Sequence, residues 1–138
     1  MTPSPAPYRR VLIIEDDACI RNVLYVLLAN LGCEGEIAHS SADALAMLRR
    51  ESFDAVLLDL RCAYAPPEEM VSKIRSLRPS LVGRVLIITG EAEDVEAIQR
   101  LERHCLQHVS RCCLSEGIGD RLREFLNISK PVLRDRTP

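Results

Sequence analysis

The sequence predicts a doubly wound α/β domain, in which amphipathic helices cover both faces of a five-stranded parallel sheet. Several short segments are continuously apolar, as fully buried strands are: VLII (11–14), DAVLLDL (54–60) and RVLIITG (84–90). Segments with helical periodicity separate them, so that strand and helix alternate five times along the chain. With 138 residues, the chain is long enough for one domain with a single hydrophobic core.

The first helix is predicted from an apolar stripe that recurs every three or four residues. The stripe consists of Ile20, Val23, Leu24, Leu27, Leu28 and Leu31. Gly32 ends this helix, because glycine readily adopts the left-handed conformation that closes a helix. A short strand is expected at residues 33–38. The second helix is expected to begin after Ser40, whose hydroxyl can cap it, and Asp43 stands three residues on, as in a capping box.

The second half of the chain continues the alternation. A third helix is expected over residues 67–77, between the strands at 54–60 and 84–90, and a fifth strand at CLQHVS (105–110). Spaced apolar residues mark the fourth and fifth helices: Val95, Ile98 and Leu101, then Ile118, Leu122, Phe125 and Leu126. The proline-containing ends read as flexible tails, so the predicted domain covers residues 9–127, flanked by tails at 1–8 and 128–138.

Composition and charge argue against a nucleic-acid or membrane partner. The net charge is −2 and the basic residues are scattered among the acids, so no positive stripe exists to contact phosphates. No apolar run approaches the length that spans a bilayer, and prolines occupy the N-terminal segment where a signal peptide needs its apolar core. We therefore expect a cytoplasmic protein.

Six cysteines raise the question of disulfides or a zinc site, yet no CxxC pair occurs among them. Most lie in apolar patterns, where a free cysteine behaves as a small hydrophobic residue. Buried thiols are the expectation. The adjacent Cys112 and Cys113 leave a redox interpretation open.

Acidic residues follow two of the predicted strands. Glu15 and Asp16 come after the first strand, Asp59 ends the third, and Thr89 ends the fourth. The carboxyl ends of parallel strands form one rim of the sheet, so these residues are expected to meet there if the first and third strands are neighbours. Carboxylates at close range raise one another's pKa unless a cation neutralises them, and Mg²⁺ prefers carboxylate oxygens. Solvated loop acids or helix caps are the alternative, and Asp17 is well placed as a cap.

These landmarks resemble the receiver domain of two-component response regulators, a flavodoxin-like fold with strand order 2-1-3-4-5. The resemblance extends over nearly the whole predicted domain. It implies that Glu15, Asp16 and Asp59 bind Mg²⁺ together with the backbone carbonyl of Arg61. It also implies that Asp59 is the phosphoacceptor and that Thr89 is the switch hydroxyl.

By the same resemblance, the chain is expected to be a signalling domain rather than a turnover enzyme. A histidine kinase or phosphotransfer protein would supply the phosphoryl group in a Mg²⁺-dependent step. The added charge would draw in Thr89 and repack a side chain on the fifth strand, changing the face formed by the fourth helix, fifth strand and fifth helix. An unidentified downstream protein would read this face, which is also a candidate homodimer surface.

The chain departs from the family at two places. HVSRCC (108–113) puts His108 at the aromatic switch position and Arg111 where the family has lysine. Arginine keeps the charge without the compact ammonium geometry. The replacement is either a matter of composition, or a change in phosphotransfer kinetics, or the mark of a degenerate pseudo-receiver that acts as a phosphate-independent interaction module. His108 is either a switch residue or a half-buried histidine, and late prolines in RCAYAPPEEM (61–70) predict a reshaped loop.

Other phosphate chemistries fit less well. A phosphatase of the haloacid-dehalogenase type also uses a strand-end aspartate with Mg²⁺, but it needs a second aspartate two residues later. Arg61 occupies that position. Neither GxGxxG nor a P-loop follows any predicted strand, which argues against nucleotide binding.

Overall fold

The structure, a computed structural model, describes residues 9–62, 66–90, 95–110 and 118–128. Strands and helices alternate along the chain: β1 (Arg9–Ile14), α1 (Ala18–Asn30), β2 (Cys33–Ala38), α2 (Ser41–Arg50), β3 (Ala55–Asp59), α3 (Pro67–Leu77), β4 (Val85–Thr89), α4 (Val95–Arg103), β5 (Gln107–Ser110) and α5 (Ile118–Leu126). The strands form one parallel sheet in the order β2-β1-β3-β4-β5. The predicted fold class and strand order are confirmed.

Helices cover both faces of the sheet. Successive side chains of a strand point to opposite faces, so an apolar strand presents apolar side chains on both faces of the sheet. In β1, Leu12 and Ile14 face a cluster that contains buried residues of α2, α3 and α4. Val11 and Ile13 face the other cluster, which contains buried residues of α1 and α5. Every residue of β3 and of β4 is buried, which accounts for their continuously apolar sequences.

Local signals at the helix ends act largely as the sequence predicts. Gly32 follows α1 with φ of +73°, the left-handed conformation that glycine adopts without strain. Ser40 caps α2, since its hydroxyl accepts a hydrogen bond from the Asp43 backbone N–H at 3.0 Å. The Asp43 carboxylate accepts in turn from the backbone N–H of His39 at 3.0 Å. The capping interaction thus extends one residue before the cap.

Two expectations about side-chain burial are wrong. Val23 belongs to the predicted apolar stripe of α1 but is 40% exposed, while Leu24 and Leu28 are buried. The buried face of α1 is therefore narrower than its apolar stripe. Among the cysteines whose side chains are described, Cys33 is buried as expected, whereas Cys19 and Cys105 are exposed.

No helix within the described part of the chain is long and apolar enough to cross a bilayer.

Replacing Ser40 with alanine is expected to destabilise the protein by about 1 kcal/mol, because an N–H at the start of α2 loses its acceptor. Ser72→Ala, at an exposed position inside α3, is the matched control and is expected to leave the free energy of unfolding nearly unchanged. Urea unfolding of the three proteins measures the difference. Equal destabilisation by both substitutions would contradict the capping assignment.

Cys33 is expected to react with a thiol reagent more slowly than Cys19. Burial raises the pKa of the Cys33 thiol; the charge of Arg9 lowers it and that of Asp54 raises it, both by less. The Cys33 thiol therefore carries less thiolate at a given pH. Labelling at pH 8 followed by peptide mass mapping measures both rates. Unfolding in urea should bring the rates together, and comparable rates in the folded protein would be inconsistent with the burial of Cys33.

Candidate functional site

Acidic side chains converge at the carboxyl edge of the sheet. Glu15 and Asp16 directly follow β1, and Asp59 is the last residue of the adjacent strand β3. One carboxylate oxygen from each of these three residues lies within 4.8 Å of the other two. The predicted meeting of Glu15, Asp16 and Asp59 is therefore confirmed, and it depends on β1 and β3 being neighbours.

The three carboxylates differ in their access to solvent. Asp59 is 0% exposed and Glu15 is 1% exposed, whereas Asp16 is exposed. Buried carboxylates retain charge only where hydrogen bonds or cations compensate for lost hydration. Glu15 and Asp59 are therefore not solvated loop residues, and the exposed Asp16 marks the side from which an ion can enter.

Backbone N–H groups orient the two buried carboxylates. Glu15 Oε1 accepts from the Asp17 N–H at 3.0 Å, and Asp59 Oδ1 accepts from the Arg61 N–H at 3.0 Å. Asp17 itself caps α1, with Oδ1 accepting from the Cys19 N–H at 2.9 Å. The cap interpretation is thus correct for Asp17.

The donor set fits a small divalent cation. Three carboxylates offer only oxygen ligands, which Mg²⁺ prefers over the nitrogen and sulfur ligands that zinc takes. The negative charge concentrated on buried groups favours a cation at this position. Binding of Mg²⁺ by Glu15, Asp16, Asp59 and the backbone carbonyl of Arg61 stays a prediction.

Thr89 ends β4 at the same edge of the sheet and is 5% exposed. Its hydroxyl donates a hydrogen bond to the Val109 carbonyl of β5 at 3.3 Å. In this state the hydroxyl is thus bonded to β5, and any movement of Thr89 alters a direct contact with that strand.

His108 lies on β5 between α4 and α5. Its Nε2 is 3.9 Å from Glu102 Oε1 of α4, so that an ion pair forms when the imidazole is protonated. Its carbonyl accepts a hydrogen bond from Arg121 of α5 at 3.2 Å. The side chain is 26% exposed. This exposure fits both a switch residue and a half-buried histidine, so the switch role of His108 stays a prediction. Arg111 lies outside the described residues.

Glu68, in the first turn of α3, connects that helix to α4. Its Oε1 accepts from Arg100 Nε at 2.8 Å and lies 4.0 Å from His104 Nε2. Partial burial acts to raise the pKa of Glu68, but hydrogen bonds from its own backbone and from Arg100 outweigh it, so the pKa is lowered. The carboxylate therefore stays ionised near neutral pH, and its ion pair with Arg100 joins α3 to α4.

Sequence reasoning missed the side chain of Arg61. Its guanidinium Nη2 lies 3.7 Å from Asp59 Oδ2, although the side chain is 55% exposed. The family resemblance implied only the backbone carbonyl of this residue as part of the site. The spacing of two residues from a strand-end aspartate was the available signal, but it does not specify where a long, flexible side chain points.

A parallel sheet of this order, with acidic residues gathered at the carboxyl ends of its strands, defines a flavodoxin-like α/β domain whose candidate ligand site lies at that edge. The family model described as response regulator receiver domain matches residues 11–123. The chain belongs to the response regulator receiver family. Domains of this family are signalling domains of two-component systems that interact with histidine kinases and downstream effectors, and they generally bind Mg²⁺ at an acidic pocket.

Individual relatives agree with this assignment. The transcriptional regulatory protein ZraR of Salmonella typhimurium is 30% identical over 116 residues, which cover 84% of this chain and 25% of that protein. The response regulator MprA of Mycobacterium avium is 26% identical over 122 residues, or 88% of this chain and 53% of that protein. The chain thus spans between a quarter and about half of the length of these curated relatives.

Solved structures share the fold. The crystal structure of a CheY-like response regulator receiver domain protein from Methanospirillum hungatei matches with a TM-score of 0.67 and 25% sequence identity. The match covers 89% of this chain and 100% of that one. The similarity therefore extends over the sheet and its covering helices rather than over one motif.

If the pocket binds Mg²⁺ as predicted, Mg²⁺ is expected to stabilise the wild-type protein, because a ligand that binds only the folded state shifts the unfolding equilibrium. Glu15→Gln and Asp59→Asn each remove one negative charge and should weaken Mg²⁺ binding by on the order of tenfold. Glu34→Gln, at an exposed position of β2, changes the net charge equally and should leave the affinity unchanged. Thermal unfolding across a Mg²⁺ titration measures these affinities, and equal weakening by all three substitutions would refute a local site.

Proposed function

We propose that this chain is a phosphoacceptor domain, phosphorylated on Asp59 in a Mg²⁺-dependent step. The observation that carries the proposal is the convergence of Glu15 and Asp16 on the buried Asp59. Mg²⁺ bound there would offset negative charge on the nucleophile and on the incoming phosphoryl group. The backbone carbonyl of Arg61 is proposed as a further ligand.

Asp59 is proposed to attack the phosphorus of a phosphohistidine or of a small acyl phosphate. An O–P bond forms to the carboxylate while the bond from phosphorus to the donor breaks. With an acyl phosphate this is a P–O bond, and the donor leaves as a carboxylate; with phosphohistidine it is the P–N bond. The imidazole nitrogen keeps the electron pair of the broken bond and takes up one proton. The backbone N–H of Arg61 supports this reaction by orienting the carboxylate through Oδ1.

The switch is proposed to pass from Asp59 to the face formed by α4, β5 and α5. Thr89 would exchange its hydrogen bond with the Val109 carbonyl for one with a phosphoryl oxygen. His108 on β5 touches residues of α4 and α5, so a shift of this strand changes both helices. Arg111 is proposed to act in place of the family lysine.

The proposed partners are a histidine kinase or phosphotransfer protein as donor and an unidentified downstream protein as reader of this face. A homodimer through the same face is part of the proposal. The functional domain is proposed to cover residues 9–127, with the segments outside it acting as tails or linkers. A cytoplasmic location is proposed because phosphodonors and free Mg²⁺ are present there.

Incubation with acetyl phosphate and Mg²⁺ is expected to add the mass of one phosphoryl group to the intact protein. Asp59→Asn should abolish the adduct because an amide is not a nucleophile of this kind. Asp54→Asn is the matched control, since Asp54 is exposed and precedes β3 at the opposite edge of the sheet. Intact-mass spectrometry at several times measures the adduct.

An adduct that requires Mg²⁺ and Asp59 supports the proposal. Absence of an adduct at high phosphodonor concentration would overturn it and favour a phosphate-independent interaction module. The substitution of Arg111 for the family lysine is the observation behind that second function.

A further inference from the structure

Arg61 contacts both carboxylate oxygens of Asp59. Its backbone N–H donates to Oδ1 at 3.0 Å, and its guanidinium Nη2 lies 3.7 Å from Oδ2. The carboxylate is fully buried, while the Arg61 side chain is 55% exposed. The guanidinium is therefore a solvent-accessible positive charge next to a buried carboxylate.

We propose that the Arg61 side chain is a cationic group of the site in addition to Mg²⁺. Its guanidinium neutralises Asp59 in the resting protein and binds the phosphoryl oxygens after transfer. This inference rests on the phosphoacceptor function proposed for Asp59. It assigns to the guanidinium a function separate from that of the Arg61 backbone.

In the resting protein, the guanidinium and Mg²⁺ compete for the charge of Asp59. A positive charge about 4 Å from the carboxylate lowers the attraction of the pocket for any further cation. Arg61 thus weakens Mg²⁺ binding while it stabilises the carboxylate without metal. The exposed position of the side chain allows the guanidinium to move aside when the ion enters.

After phosphoryl transfer, the same guanidinium interacts favourably with the phosphoryl group on Asp59. A phosphoryl group carries more negative charge than the carboxylate it modifies and presents three acceptor oxygens. The planar guanidinium fork matches such oxygens with two parallel hydrogen bonds. At 3.7 Å, Nη2 lies beyond hydrogen-bond length from Oδ2, so the resting contact is electrostatic and phosphorylation offers it better acceptors.

Removal of the guanidinium is therefore expected to strengthen Mg²⁺ binding and to weaken binding of a phosphoryl group. A purely structural function of Arg61 would not change these two affinities in opposite directions. Arg61→Gln without phosphodonor is expected to bind Mg²⁺ about threefold to tenfold more tightly than wild type. Arg49→Gln is the control with equal net charge, because Arg49 lies exposed at the far end of α2 and should leave the affinity unchanged. Isothermal titration with Mg²⁺ measures this arm.

In the second arm, beryllofluoride serves as a stable analogue of the phosphoryl group at saturating Mg²⁺. Arg61→Gln is expected to bind it about tenfold more weakly than wild type, and Arg61→Lys should recover part of the loss. Fluorine NMR of the bound species gives the affinities. Urea unfolding of each variant verifies that it is folded.

Tighter Mg²⁺ binding together with weaker beryllofluoride binding supports the proposal. Affinities that both fall, or that both equal those of the Arg49→Gln control, overturn it while leaving the phosphoacceptor function of Asp59 intact. Failure of the wild-type protein to bind beryllofluoride overturns the phosphoacceptor function itself, and this inference with it.

Discussion

The concentration of negative charge at one edge of the sheet is the constraint on which the rest of the structure depends. Two carboxylates, those of Glu15 and Asp59, are removed from water and lie within 4.8 Å of the exposed Asp16. Such an arrangement persists only with compensation from hydrogen bonds and cations. Backbone N–H groups supply part of it, and the guanidinium of Arg61 supplies nearby positive charge. The concentrated negative charge of the three carboxylates favours a divalent ion at this edge of the sheet.

The same edge is mechanically connected to a distant surface. Thr89 bonds to the backbone of β5, and His108 on that strand touches α4 through Glu102 and α5 through Arg121. Among the described strands, β5 lies at the edge of the sheet and pairs only with β4, so fewer backbone hydrogen bonds hold it than hold a central strand. A change of charge at the pocket can therefore reach two helices through few contacts.

Much of the fold could be predicted from local patterns. The bounds of β2 and α3 agree with the expectation, because Gly32 and Pro67 mark element ends by backbone conformation alone. Burial was predicted less well. Val23 and the thiols of Cys19 and Cys105 are exposed despite apolar sequence contexts, since exposure depends on how far the neighbouring elements extend over each helix or loop.

The sequence by itself determined the kind and order of the elements and the residues that end each strand, because periodicity and turn residues act over a few positions. It also indicated Asp17 and Ser40 as caps, which are local interactions. The residues left open whether β1 pairs with β3, and the family resemblance predicted it. The tertiary structure shows this pairing, which brings Glu15 to Asp59 across more than forty residues. The tertiary structure alone showed that the Arg61 guanidinium lies 3.7 Å from the Asp59 carboxylate, because a spacing of two residues does not specify where a long, flexible side chain points.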